Sequence, residues 1–133
     1  YYNQSLREVR MLNKEYLQEW VEGRSRDLRV GVCICFFAGL GSLFLITMGG
    51  ALLEPVMAKV AVTAYIVLLT LFTFIWNDGA IGDIAASRGD LDKDVLESGV
   101  GKSFNGQPFG FYRGFAAFIA FGIGITQILL LFS

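Results

Sequence analysis

The segment ESGVGKS, from Glu97 to Ser103, ends in the Gly-Lys-Ser of a phosphate-binding loop. That chemistry needs G-x-x-x-x-G-K-[ST] between a strand and a helix, so that backbone N–H groups and the lysine surround phosphate oxygens. Here the first glycine would fall on Leu96, no strand pattern leads in, and FNGQPFG, with Pro108, is a poor helix start. The segment reads as a flexible connector with one lysine, and no nucleotide is expected. DLDKD sets Asp90, Asp92 and Asp94 at the first three ligand positions of a calcium loop. Such a loop also needs glycine at its sixth position and glutamate at its twelfth; those are Val95 and Gly101. A solvated acidic turn is the better reading. RGD, at Arg88 to Asp90, is a three-letter coincidence.

The chain contains no histidine, which removes the usual general base and the commonest metal and haem ligand. Cys33 and Cys35 lie two apart in an apolar run. On a helix they point in different directions, so they are read as small packing residues. Gln127 is the one strongly polar side chain deep in the last apolar run. It is expected to hydrogen-bond to a neighbouring helix, and it is the sole candidate for a cofactor contact, to a pigment metal or a quinone. No nucleophile, base or metal set converges. The chain is therefore not expected to be an enzyme and has no catalytic or metal-ligating candidates. No intrinsic cofactor is expected, although bound lipid or pigment would suit its many phenylalanines.

The elements that hold these residues follow from hydropathy. The chain has 133 residues, 54% hydrophobic and only 17% charged, against about a quarter charged in a soluble domain. Crossing a bilayer takes about 20 helical residues. The runs Val30 to Gly50, Val56 to Trp76 and Phe111 to Phe132 each meet that length. The first two are joined around GALLEPV, where Gly49 and Gly50 can end one helix and Pro55 suits the start of the next. Glu54 and Lys59 sit at this tip as headgroup-level charges. Ten of the 11 basic residues fall before the first span or between the second and third, Arg113 lying at the mouth of the third. The positive-inside rule then puts both segments on the cytoplasmic, stromal or matrix side.

Before the first span, SLREVRMLNKEYLQEWVEG reads as an amphipathic helix. Ser5 and Glu8 form a capping box, and Gly23 is a plausible stop. Leu6, Val9, Leu12, Tyr16 and Trp20 share one side at helical spacing, facing the bilayer surface, a partner or the bundle itself. Between the second and third spans, NDG signals a turn, GDLDKDVLES one or two helical turns, and FNGQPFGF irregular chain. A long segment of this kind is commonly held by a partner. Small residues recur every four positions at Gly31, Cys35 and Gly39, and at Ala116, Ala120 and Gly124, with Gly122 and Thr126 as a parallel track. This spacing lets helices approach closely in lipid.

The expected fold is an all-α membrane protein: an N-terminal interfacial amphipathic helix plus three transmembrane helices. Its organisation is an interfacial helix and basic linker (1–29), a transmembrane hairpin (30–76), a polar loop on the N-terminal side (77–110) and a third span (111–133). The chain starts at Tyr1, not Met, and carries no secretory signal pattern, so a processed or partial chain is expected. The expected role is a non-catalytic accessory or structural subunit of a larger membrane complex, with a photosynthetic or respiratory energy-converting assembly as the host. Partners are then other membrane-protein subunits and the lipid bilayer. A net charge of −1 gives no reason to expect nucleic acid. A homo-oligomeric channel or small transporter and an assembly factor are the alternatives.

Overall fold

The computed structural model describes residues 2–133, with side chains from Tyr16 onward. Three long helices dominate: α1 (Tyr2–Met48), α2 (Val56–Ala86) and, after two short helices α3 (Lys93–Glu97) and α4 (Gly99–Asn105), α5 (Phe109–Phe132). Among the described residues there is no strand. Segments Tyr16–Met48, Val56–Asp90 and Phe109–Phe132 are each long and apolar enough to cross a membrane.

The hairpin between α1 and α2 forms as its glycines and proline dictate. Gly50 takes φ +44°, the chain's one positive φ among the described residues, which a residue with a Cβ adopts poorly. A 3₁₀ turn at Gly50–Leu53 follows. Pro55, in extended backbone (ψ 133°), stands immediately before α2. At this end Lys59 Nζ lies 5.5 Å from the centre of the Phe132 ring, which brings the end of α5 beside the start of α2.

Two expectations are corrected. Gly23 does not stop a separate interfacial helix; α1 runs through it into the first span. A glycine stop needs the left-handed conformation, and Gly23 does not adopt it. The helix is tied to α2 just after this glycine. Arg24 Nε is 2.9 Å from Asp83 on α2, and the Trp76 indole N–H donates to the Asp27 carbonyl at 3.0 Å. Leu6, Val9 and Leu12 lie outside the residues whose side chains are described. Of the same stripe, Tyr16 is exposed, and Trp20 carries the Arg24 guanidinium 5.6 Å above its ring.

Likewise, NDG makes no turn. α2 continues ten residues past Trp76 to Ala86, because Asn77, Ala80 and Ile81 are buried and Asp78 pairs with α5. The region 77–110 is therefore mostly helical. It includes the helical turn expected in GDLDKDVLES, which is α3, and a second helix, α4, over the segment read as a connector. Arg88 fastens this region. Its Nη2 donates to the carbonyls of Phe104, at 3.1 Å, and Gln107, while its guanidinium lies 4.4 Å from the centre of the Phe109 ring.

α2 is the central helix: it packs against both α1 and α5, which meet each other far less. Only Leu53, Ile66, Ala80, Ile81, Ala120 and Leu131 are buried apolar residues among those described. Large side chains on all three helices point outward, among them Phe36, Phe37, Phe44, Leu68 and Phe118. The hydrophobic surface that would form a core in water is here the exterior.

Candidate functional site

Three consecutive residues of α2 define the site. On a helix each successive side chain is rotated by about 100°, so Trp76, Asn77 and Asp78 address three different neighbours. Trp76 reaches α1 through the Asp27 carbonyl. Asp78 reaches α5: its two carboxylate oxygens accept from Arg113 Nε at 2.6 Å and Nη2 at 2.7 Å. This fork-to-fork geometry fixes both side chains. Asn77 lies between these two ties and is only 8% exposed. Its Oδ1 is buried and has no hydrogen-bond partner among the described residues.

Asn77 lines a slot of about 340 Å³ that α1, α2 and α5 enclose together. The slot exists because α2 holds both neighbours while α1 and α5 diverge. From Asn77 and Tyr112 it passes Thr73, Thr70 and Ala120 and ends near Ile66, Gly39 and Gln127. Its lining is overwhelmingly apolar and includes no Asp, Glu, Lys or Arg. Of the lining threonines, Thr73 donates its hydroxyl to the Leu69 carbonyl four residues back, which satisfies it within the helix. Tyr112 donates to Gln107 Oε1 at 2.7 Å.

The far end of the slot is closed by Gln127. Its Nε2 donates to the Gly39 carbonyl on α1 at 2.9 Å, and its Oε1 accepts from Ser42 Oγ at 3.0 Å. Gln127 and Ser42 are both buried. Both ends of the Gln127 amide are thus engaged with α1, and the residue acts as a helix-to-helix tie. Interhelical hydrogen bonds in bilayers average about 0.6 kcal/mol. Gln127→Leu, which removes two, is expected to lower stability by about 1 kcal/mol in reversible unfolding by sodium dodecyl sulfate in mixed micelles.

The small-residue positions divide by what they face. A Cβ on Gly31 would strike the Trp76 ring, and one on Gly124 would strike Thr70 Oγ1; these two glycines permit the α1–α2 and α2–α5 approaches. A Cβ on Gly39 or Gly122 would meet nothing within 4 Å. Cys35, Ala116 and Ala120 border the slot. Cys33 and Cys35 are free thiols. Among the described residues no group of His, Cys, Asp and Glu could hold a metal. Asn77 is the residue that sequence reading missed. Its position within NDG pointed to a turn, and only its register on the lengthened α2 reveals a polar group facing inward.

No family model matches the chain, and no curated protein or solved structure proves similar to it.

Proposed function

We propose that this chain is a multi-pass integral-membrane protein with a structural role, a non-catalytic accessory subunit of a larger membrane assembly. The observation that supports it most is the inversion of apolar surface: among the described residues, six buried apolar residues against dozens of exposed large ones. Monomeric soluble proteins rarely expose contiguous apolar patches beyond a few hundred Å², so lipid and neighbouring subunits are the natural cover. The basic ends of α1 and α2 lie on the cytoplasmic, stromal or matrix side by the positive-inside rule. There the α1–α2 pair is joined by Arg24–Asp83 and Trp76–Asp27 and offers a polar surface to partner subunits. An energy-converting membrane complex is the proposed host. Neither a nucleotide nor nucleic acid is a partner in this reading.

Affinity purification of the tagged full chain in a mild detergent tests it. The chain should co-migrate with other membrane subunits in constant stoichiometry, and chlorophyll, carotenoid or haem absorption in that fraction would identify the host. A colourless homo-oligomer that passes ions in liposomes overturns the reading in favour of a channel. A partner set that disappears from the mature complex overturns it in favour of an assembly factor.

A further inference from the structure

We propose that the slot between α1, α2 and α5 binds one neutral long-chain amphiphile whose hydroxyl head hydrogen-bonds to Asn77. This site is separate from the subunit reading and stands whether or not the chain joins an assembly.

Three observations carry it. The first is Asn77 itself. It is more than nine-tenths buried, and its Oδ1 has no partner among the described residues. Buried polar groups are almost always hydrogen-bonded. A carbonyl oxygen needs a donor. A hydroxyl supplies one, whereas an ester or ketone supplies only an acceptor.

The second observation is the charge of the lining. With no Asp, Glu, Lys or Arg among the lining residues, and with Asp78 and Arg113 already engaged with each other, nothing in the slot offsets the desolvation of an ionic head. A carboxylate or phosphate is therefore disfavoured.

The third is shape. From Ile66 to Asn77 the slot follows α2 for about 16 Å at 1.5 Å per residue. The slot offers about 340 Å³, at the lower end of the ligand-pocket range of about 300–1,000 Å³. One hydrocarbon chain fits a slot of this size and length. Polarity also matches an amphiphile in a bilayer. Asn77 stands level with Trp76 and the Asp78–Arg113 pair at the polar end of the slot, and the slot runs from there along apolar side chains to its Gln127 end.

The test uses the full chain in phosphatidylcholine nanodiscs with a monoacylglycerol carrying a diazirine in its tail. After irradiation, labelling should concentrate on Thr70, Thr73, Ala116 and Ala120, about tenfold over the outward-facing Phe118 and Leu129. Unlabelled monoacylglycerol should compete; an alkane or a fatty-acid anion of equal length should not. Asn77→Leu should reduce slot labelling about tenfold. Ala120→Phe should abolish it by filling the passage, and Ala116→Leu serves the same purpose if Ala120→Phe does not elute as a monodisperse species. Equal labelling of slot and outer faces overturns the proposal. So does labelling that Asn77→Leu leaves unchanged, and so does full competition by the alkane, which would mean that any hydrocarbon tail enters without regard to Asn77.

Discussion

Gly124→Leu is expected to force α5 away from α2 and to lower folding stability by about 1–3 kcal/mol, the usual cost of overpacking a close contact. The position is specific. A Cβ on Gly124 would strike Thr70 Oγ1 and come within 3.4 Å of its Cβ and Cγ2, and Thr70 is fixed on the central helix. Less than one turn of α5 away from this contact, Phe121 and Phe74 pack at 5.5 Å between ring centres and would separate with it. The Asp78–Arg113 pair would remain as the main tie at the other end of α5. Unfolding by sodium dodecyl sulfate in mixed micelles measures the loss. Gly122→Leu is the control, since nothing lies within 4 Å of a Cβ there; it should change stability by less than about 0.5 kcal/mol, as exposed substitutions do. The pair also has a rescue. Gly124→Ala alone should destabilise, and Thr70→Ala in the same chain should restore most of the loss, a coupling of the size that contacting residues show, about 0.5–3 kcal/mol. Equal losses at Gly122 and Gly124 would mean that α5 rotates in the bilayer and that its contact face is not the one described.

That contrast explains what could and could not be read from the sequence. Three long apolar runs fix three long helices, because length and hydropathy need no knowledge of neighbours. The hairpin was equally legible, since Gly49, Gly50 and Pro55 act through local backbone geometry. Which small residues touch a helix was not legible. Gly122 with Thr126 and Ala116 with Ala120 and Gly124 show the same spacing, and only tertiary contact separates them. The same limit hid the site. NDG favours a turn when only local preference counts, yet Ala80 and Ile81 are buried and Arg113 lies opposite Asp78, so tertiary packing carries the helix through. Gln127 drew attention as the deep polar residue and turned out to be spent on Gly39 and Ser42. Among the described residues, the slot residue with an unmet hydrogen bond is Asn77, whose type is ordinary and whose burial is set by α1 and α5 together.

Gly101→Val is expected to break the corner between α3 and α4, and it tests why GVGKS contains its glycines. A Cβ on Gly101 would collide with the Val95 carbonyl oxygen and lie 2.7 Å from Leu96 Cα and from the Val95 carbonyl carbon. These are backbone atoms, so no rotamer change relieves the clash. The corner is tight because Ser98 serves both helices. Its Oγ accepts from the Gly101 N–H at 3.1 Å and lies 2.6 Å from the Val95 carbonyl, to which it donates. Glycine is thus required here for close approach of two backbones, the steric role that glycine plays wherever main chains cross, and not to cradle a phosphate. The consequence should stay local. Amide hydrogen exchange over residues 93–107 is expected to accelerate at least about tenfold, equivalent to about 1.4 kcal/mol of lost protection. Exchange in the apolar parts of α2 and α5 should hold, because Arg113–Asp78 and the Gly124–Thr70 contact do not depend on the corner. Gly99→Ala, with nothing within 4 Å of its Cβ, should leave exchange unchanged, and added nucleotide should protect neither the parent chain nor the variant. Nucleotide protection of residues 97–103 in the parent chain, or equal effects at Gly99 and Gly101, would show that the glycines serve a ligand and not the crossing of α3 and α4.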